Sequence, residues 1–372
     1  MQVSTFARAV CTLIPLCCWS ARAQSVNVGA ITNAASFEKG PVAPGTIVSI
    51  FGSNLSRNTT TASALPLPVS LDGTSVTVGN QVIPLFFVSP GQINAQLPFN
   101  LQSGSALLTV KNGGGLSGNF TFVVTNTSPA VFTATTDGKS AAIAVHSDYS
   151  LVQSSPRESA RSGEAIFIYC TGLGAVDKTI AAGSAGPSNP LANTSQKTTV
   201  SMGGRQAQVL YAGLAPGFAG LYQINFIVPP ELGGDVKTIV SVGNALSSPV
   251  TINVRGVFTI GASYSGTLNY KTGEKYRLHL SSLALASASS VKGEYRVFDG
   301  LSLIDTGSFL FENTPDFFVA LGRSSTNGPH FVGAFDSEDA GTSFFGLLYK
   351  GDTFADITNA GAWYASVKLT QP

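Results

Sequence analysis

Charge is what this sequence has least of. Charged side chains make up 11% of its 372 residues, where a typical soluble domain carries about a quarter. So few lysines and arginines exclude the basic field needed to hold nucleic acid or an anionic lipid surface. Histidine is scarce too: His146, His279 and His330 form no H-x-x-x-H pair, and a zinc site would need all three brought together from a distance. No G-x-S-x-G nucleophile elbow and no complete EF-hand loop occur. Cysteine is almost absent after the start of the chain. Three of the four lie in the first eighteen residues, which leaves Cys170 alone and rules out an internal disulfide in the remainder.

The N-terminal stretch is a separate object. Arg8, the apolar run Ala9 to Trp19 and the small-x-small site Ala21-Arg22-Ala23 form a secretory signal peptide over residues 1–23. The run is too short to span a bilayer, so no membrane span is expected. Cleavage there removes Arg8 and Arg22 and no acid, so the 21 basic side chains become 19 against 20 acidic, a charge of −1. The expected location is secreted, cell-surface or periplasmic.

What is present points to β structure. Hydrophobic residues reach 44%, with 40 glycines and 19 prolines, a mixture of core formers and turn formers. The chain also repeats itself. Gln92-Ile93-Asn94-Ala95-Gln96-Leu97-Pro98 recurs as Gln223-Ile224-Asn225-Phe226-Ile227-Val228-Pro229. Ser89-Pro90-Gly91 precedes the first copy and Ala215-Pro216-Gly217 the second; upstream, Ile50-Phe51-Gly52 matches Ile168-Tyr169-Cys170. Each half yields about seven short strands rich in β-branched and aromatic residues, bounded by Gly, Pro, Asn or Ser, the count of an immunoglobulin-like sandwich. Differences fall in connections, which absorb insertions cheaply. We therefore expect Ig-like modules over residues 24–134 and 135–256. Gly45 and Gly163, each before a buried strand, suit turns with positive φ. The amides of Gln92, Asn94, Gln223 and Asn225 are expected to bond loop backbone. Gly113, Gly115 and Gly118 satisfy G-x-G-x-x-G but sit between strands, a hairpin context that does not fit the dinucleotide fingerprint.

Several phrases carry a resemblance. Asn33-Ala34-Ala35-Ser36-Phe37, Val42-Ala43-Pro44-Gly45, Leu85 to Asn94 and Tyr211 to Gly217 resemble a Solibacter-type C-terminal domain, an uncharacterised family of secreted acidobacterial proteins, over about residues 25–254. The halves are also similar to immunoglobulin-like IPT/TIG modules. The resemblance implies a binding or spacing role and supplies no catalytic residues. It also departs from the family pattern, because about 115 residues follow.

Residues 257–372 show no copy of the repeat, yet read as β throughout, which gives a third, antiparallel domain, barrel or sandwich. Leu283 to Val291 and Ala355 to Gly361 are the only helix candidates. Asp336, Glu338 and Asp339 form the densest acidic cluster, whose oxygens suggest a weak Ca²⁺ site, the one cofactor the sequence brings to mind; a solvated hairpin turn is the reading we favour for them. Trp363, Tyr364 and Tyr349 are candidate ligand-binding residues, able to stack on a sugar. Acids such as Asp299, Asp305, Glu312 and Asp316 read as turn residues, although a glycoside hydrolase would need two of them in one cleft. The expectation is an all-β, exported, non-catalytic scaffold, its modules a spacer or docking unit. Its last domain would bind an extracellular polysaccharide or a cell-surface protein. The alternative is a carbohydrate-directed hydrolase with its site in 257–372.

Overall fold

The computed structural model describes residues 25–154, 158–230, 232–255, 263–287, 290–313, 318–324, 331–337, 343–350 and 365–370. Among them the regular structure is entirely β. The first ten strands are β1 (Asn27–Asn33), β2 (Ile47–Ser53), β3 (Thr60–Thr61), β4 (Ser75–Val78), β5 (Gln81–Ile83), β6 (Leu85–Val88), β7 (Gln92–Gln96), β8 (Gly104–Asn112), β9 (Gly115–Leu116) and β10 (Phe120–Val124). They make two sheets, β1-β2-β7-β6-β3 and β10-β8-β4-β5, with β9 on β8. Next come β11 (Ala130–Val131), β12 (Ala144–Val145), β13 (Ala165–Thr171), β14 (Thr198–Met202), β15 (Arg205–Leu214), β16 (Tyr222–Ile227), β17 (Gly234–Val242), β18 (Ala245–Leu246) and β19 (Val250–Val254). These pair as β11-β13-β16-β15-β14-β17-β18, with β12 on β13 and β19 on β17.

The two sets share most of their pairings: β2, β7, β4, β8, β9 and β10 correspond to β13, β16, β14, β17, β18 and β19, while β3 is particular to the first set and the edge strand β1 is replaced by the short β11 and β12. In the second set β15 runs continuously from one sheet into the other, with a bulge between Val209 and Tyr211. In the first set the corresponding strand is broken into β5 and β6 by Pro84, which aligns with Leu210 when the two Pro-Gly anchors are superposed. Proline has no N–H to give a ladder, so the strand parts there. Each set closes over its own apolar core: Val48, Ile50, Ile83, Ile93 and Val110 in the first, Ile166, Ile168, Tyr222, Ile224 and Phe226 in the second. Cys170 is fully buried in the second core. Gly45 and Gly163 have φ of 75° and 79°. The repeated amides bond to each other and not to loop backbone. Gln92 Nε2 donates to Asn94 Oδ1 and Gln223 Nε2 to Asn225 Oδ1, both at 2.8 Å, because alternate residues of a strand share a face.

The two sets are joined by specific buried contacts. Gln96 is fully buried; the Gly183 N–H donates to its Oε1 at 2.7 Å, and the Leu67 N–H donates to Gly183 O at 2.8 Å. The Ile47 N–H donates to Thr171 Oγ1 at 2.9 Å. Phe99 packs on the second core, and an exposed Lys139–Glu38 ion pair lies at the edge. Gln96 stands where the second copy of the repeat has Ile227, so a position at which the copies differ in polarity is one of those that tie them together.

The last eight strands are β20 (Tyr264–Tyr270), β21 (Lys275–Ser287), β22 (Ser290–Asp299), β23 (Ser302–Asn313), β24 (Phe318–Ser324), β25 (Phe331–Ser337), β26 (Ser343–Lys350) and β27 (Ala365–Thr370). They form a closed antiparallel barrel in chain order, sealed by β20 pairing with β27, so closure leaves no free edge. Of the helix candidate Leu283 to Val291, residues 283–287 lie in β21 and 290–291 in β22. Pairing with β22 overrides the Ala and Leu helix propensity. Ala355 to Gly361 lie outside the described residues.

Candidate binding site

The barrel's inside and outside are set by period-two alternation. Along β22, Val291, Gly293, Tyr295 and Val297 are buried, while Lys292, Glu294 and Arg296 are exposed. Directly paired residues share a face, so the interior rungs follow from register. Leu280 pairs with Tyr295, and Tyr295 with Gly307; Leu278 pairs with Val297, and Val297 with Asp305. On the other side Tyr264 pairs with Leu280 and Leu268 with Tyr276. Glycine makes room for large neighbours: a Cβ at Gly293 would stand 2.6 Å from Phe309 Cζ. Each buried Leu, Val or Phe contributes on the order of 1.5–3 kcal/mol.

One end of this interior is chemically distinct. It is the end bearing the β20–β21 and β22–β23 hairpins. Tyr270 and Tyr276 face each other edge to face, with ring centroids 5.4 Å apart and an interplanar angle of 90°. Tyr295, 1% exposed, donates its hydroxyl to Asp305 Oδ2 at 3.1 Å, and the Thr306 N–H donates to Asp305 Oδ1 at 2.8 Å. The Tyr270 phenol is pushed above its ordinary pKa, first by burial, then by neighbouring Tyr276 and by the carboxylates of Asp305 and Glu274. An inward carboxylate in an apolar barrel is costly unless it is held by donors; here tyrosine holds it. Asp305 therefore lies in a strand facing the interior, not in the turn that the sequence suggested.

A bulge separates this inner cluster from an apolar outer edge. Val297 pairs with Asp305 but Phe298 with Leu303, which leaves Ile304 as the extra residue. The slip turns Leu303 to the outer face beside Phe298, a common use of bulges for aiming side chains. The Arg277 guanidinium lies over Phe298 at 4.9 Å. At the hairpin tip Leu301 is 94% exposed, and Leu303 and Ile304 about half exposed.

The residues singled out from sequence fall elsewhere or outside the described set. Asp336 is in β25 opposite Phe345, toward the end of the barrel away from the tyrosine cluster; Glu338 and Asp339 lie outside the described residues. Tyr349 is in β26 opposite Val332, next to the end of that strand; Trp363 and Tyr364 lie outside the described residues. Asp299 ends β22 and Glu312 lies in β23; Asp316 is outside the described residues. Among the described residues no three His, Cys, Asp or Glu side chains gather as metal ligands. His146 is buried, its Nδ1 2.6 Å from Glu164 Oε1 and its Nε2 3.1 Å from Glu158 O, a structural clamp within the second sheet set. His279 Nδ1 lies 2.9 Å from Ser265 Oγ across the β20–β21 pair. Gly113 and Gly115 belong to the β8–β9 turn, where Asn112 Oδ1 accepts from the Gly114 and Gly115 N–H groups. Tyr270 and Tyr276 were missed by reading the sequence. Their signal is Leu268/Tyr270 and Tyr276/Leu278/Leu280, two alternating runs around the turn at Gly273.

Fold and site together define an all-β protein with immunoglobulin-like sandwich architecture and an appended barrel. Comparison with known families agrees for the first sheet set: the IPT/TIG domain model matches residues 31–124. No curated protein matches the chain. Solved structures with some likeness include an SGBP-B from the mixed-linkage glucan utilization locus of Bacteroides ovatus, in complex with a mixed-linkage heptasaccharide. It is 13% identical, with a TM-score of 0.29 over 80% of this chain and 71% of that one. An SGBP-B from a complex xyloglucan utilization locus in Bacteroides uniformis is 13% identical, with a TM-score of 0.20 over 94% of each chain. Domains 5–6 of the S-layer protein SbsC are 12% identical, with a TM-score of 0.22 over 62% of this chain and 98% of that one. At scores this low none of them carries an argument for this chain.

Proposed function

We propose that this is an exported, non-catalytic scaffold and binding protein. The signal peptide at 1–23, the division at 24–134, 135–256 and 257–372, and the phrase-level resemblance to the Solibacter-type domain are parts of that reading. The paired modules act as spacer or docking unit, a role that suits their buried junction through Gln96 and Thr171. The barrel supplies the binding face, and its partner is an extracellular polysaccharide or a cell-surface protein. The observation that carries the proposal is the hairpin of Leu301, Leu303 and Ile304, exposed beside a tyrosine–carboxylate cluster. Exposed apolar groups rimmed by polar ones mark interaction sites.

The test is retention of the full chain on a panel of insoluble neutral and acidic polysaccharides, and capture from bacterial surface extracts, with reducing-sugar release measured in parallel. Retention without release is expected, and serine at all three tip positions should weaken it while leaving the melting temperature close to wild type. Sugar release that is lost on Asp305→Asn would establish the hydrolase instead.

A further inference from the structure

We infer that the barrel end formed by Tyr270, Tyr276, Tyr295 and Asp305 is a subsite for a neutral sugar ring of a saccharide chain. The inference rests on the reading of the barrel as the binding domain and specifies its ligand. Three observations select this chemistry.

The cluster combines aromatic rings with a carboxylate. Tyr270 and Tyr276 stand perpendicular on adjacent strands, and both are only partly buried. Such rings offer a surface for the C–H face of a sugar and keep a hydroxyl at the rim. The Asp305 carboxyl oxygens already act as acceptors, from the Tyr295 hydroxyl and the Thr306 N–H, so the group it selects is a donor. Tyr295, fully enclosed in the wall, fixes the carboxylate by its own hydroxyl. A group built into the wall in this way is pre-organised and gives up little entropy on binding.

The charge along the two hairpins that carry the cluster is balanced. Residues 270–277 and 298–305 hold Lys271, Lys275 and Arg277 against Glu274, Asp299 and Asp305. A site for an ammonium ligand would gain from a net negative field, and one for an acidic polymer from a positive field; among the described residues these two hairpins supply neither. A donor-rich but uncharged ligand is what remains, and a sugar ring has both the hydroxyl donors and the apolar face.

The surface continues beyond the cluster. Phe298 and Leu303 on the outer face, with Ile304 at the bulge and Leu301 at the tip, form an apolar edge across the rim from the cluster. A ligand longer than one ring can rest its C–H faces there, which favours a chain over a free monosaccharide.

The experiment titrates the full chain by calorimetry with neutral cello-, xylo- and manno-hexaoses, with choline as cationic probe and hexagalacturonate as anionic probe. A neutral hexaose is expected to bind. Asp305→Asn should weaken it about tenfold, as for loss of one charge-assisted hydrogen bond, and Tyr270→Ala about fivefold. To keep the test independent of the variants' folding, the wild-type protein is also acetylated with N-acetylimidazole, and the bound hexaose should slow modification at Tyr270 and Tyr276. Full affinity in both folded variants overturns the subsite while leaving the binding role intact. So does hexaose protection confined to the inter-module cleft lined by Val82, Phe99 and Ile180. Preference for choline or hexagalacturonate overturns the ligand class. Failure of the full chain to be retained by any polysaccharide or surface extract removes the binding role itself, and the inference with it.

Discussion

Replacing Gln96 with leucine removes one amide from the junction between the two modules while keeping a side chain of similar bulk. In the native protein that amide is fully buried and accepts from the Gly183 N–H at 2.7 Å. Gly183 is itself buried, so the lost partner cannot be replaced by water without opening the junction. An unsatisfied buried N–H costs about 1–3 kcal/mol. The longer bond from Gln96 Nε2 to Gly45 O, at 3.5 Å, adds little. The added apolar burial of leucine offsets part of this, which leaves about 2 kcal/mol. For a unit of some two hundred residues that corresponds to a fall in Tm of about 4–8 °C. Differential scanning calorimetry of the full chain reads it. The expected result is a lower transition for the paired modules, with the barrel transition unmoved. A Tm shift within error would show that the junction is not held by Gln96 and that the spacer reading has lost its physical basis.

Two further outcomes follow from backbone and burial. Gly45→Val and Gly163→Val both force a β-branched residue to positive φ, which costs about 1–3 kcal/mol. At Gly45 an added Cβ would also meet Phe99 at 2.4 Å and Tyr222 Oη at 2.9 Å, whereas at Gly163 it meets nothing; urea denaturation should therefore show the larger loss for Gly45→Val, and the reverse order would refute the packing argument. Burial pushes the Cys170 thiol far above its ordinary pKa, so Ellman's reagent should leave the native protein unlabelled and react fully once it is unfolded; rapid labelling of native protein would contradict the buried placement.

Much of the fold was legible because it is local or repeated. The Gln-Ile-Asn phrases lie on the central strands β7 and β16, and the Pro-Gly anchors lead into them, so duplication could be read without contacts. Pro84 explains the broken strand from its own chemistry. Gly45 and Gly163 were legible as turn residues for the same reason. What could not be read was spatial. That Gln96 meets Gly183 depends on how two sandwiches pack, and the pattern offered only a polar residue where its counterpart is Ile227. Closure of the barrel rests on β20 meeting β27, about a hundred residues away, which no periodicity reveals. Asp305 looked like a turn acid beside Asp299 and Gly300. Only register against Val297 and the bulge at Ile304 turn it inward. The sequence drew attention to Tyr349, Trp363 and Tyr364 because they are conspicuous aromatics. Tyr270 and Tyr276 stand out only once Leu268, Leu278 and Leu280 identify their face as the interior.

The central claim is that binding belongs to one end of the barrel and that the repeated modules carry it without taking part. Hydrogen–deuterium exchange of the full chain, with and without a retained neutral polysaccharide, tests this most directly. The account predicts slowed exchange in peptides covering residues 264–280 and 295–309, with residues 31–254 unchanged. Slowed exchange confined to the modules, with the barrel unaffected, would contradict it.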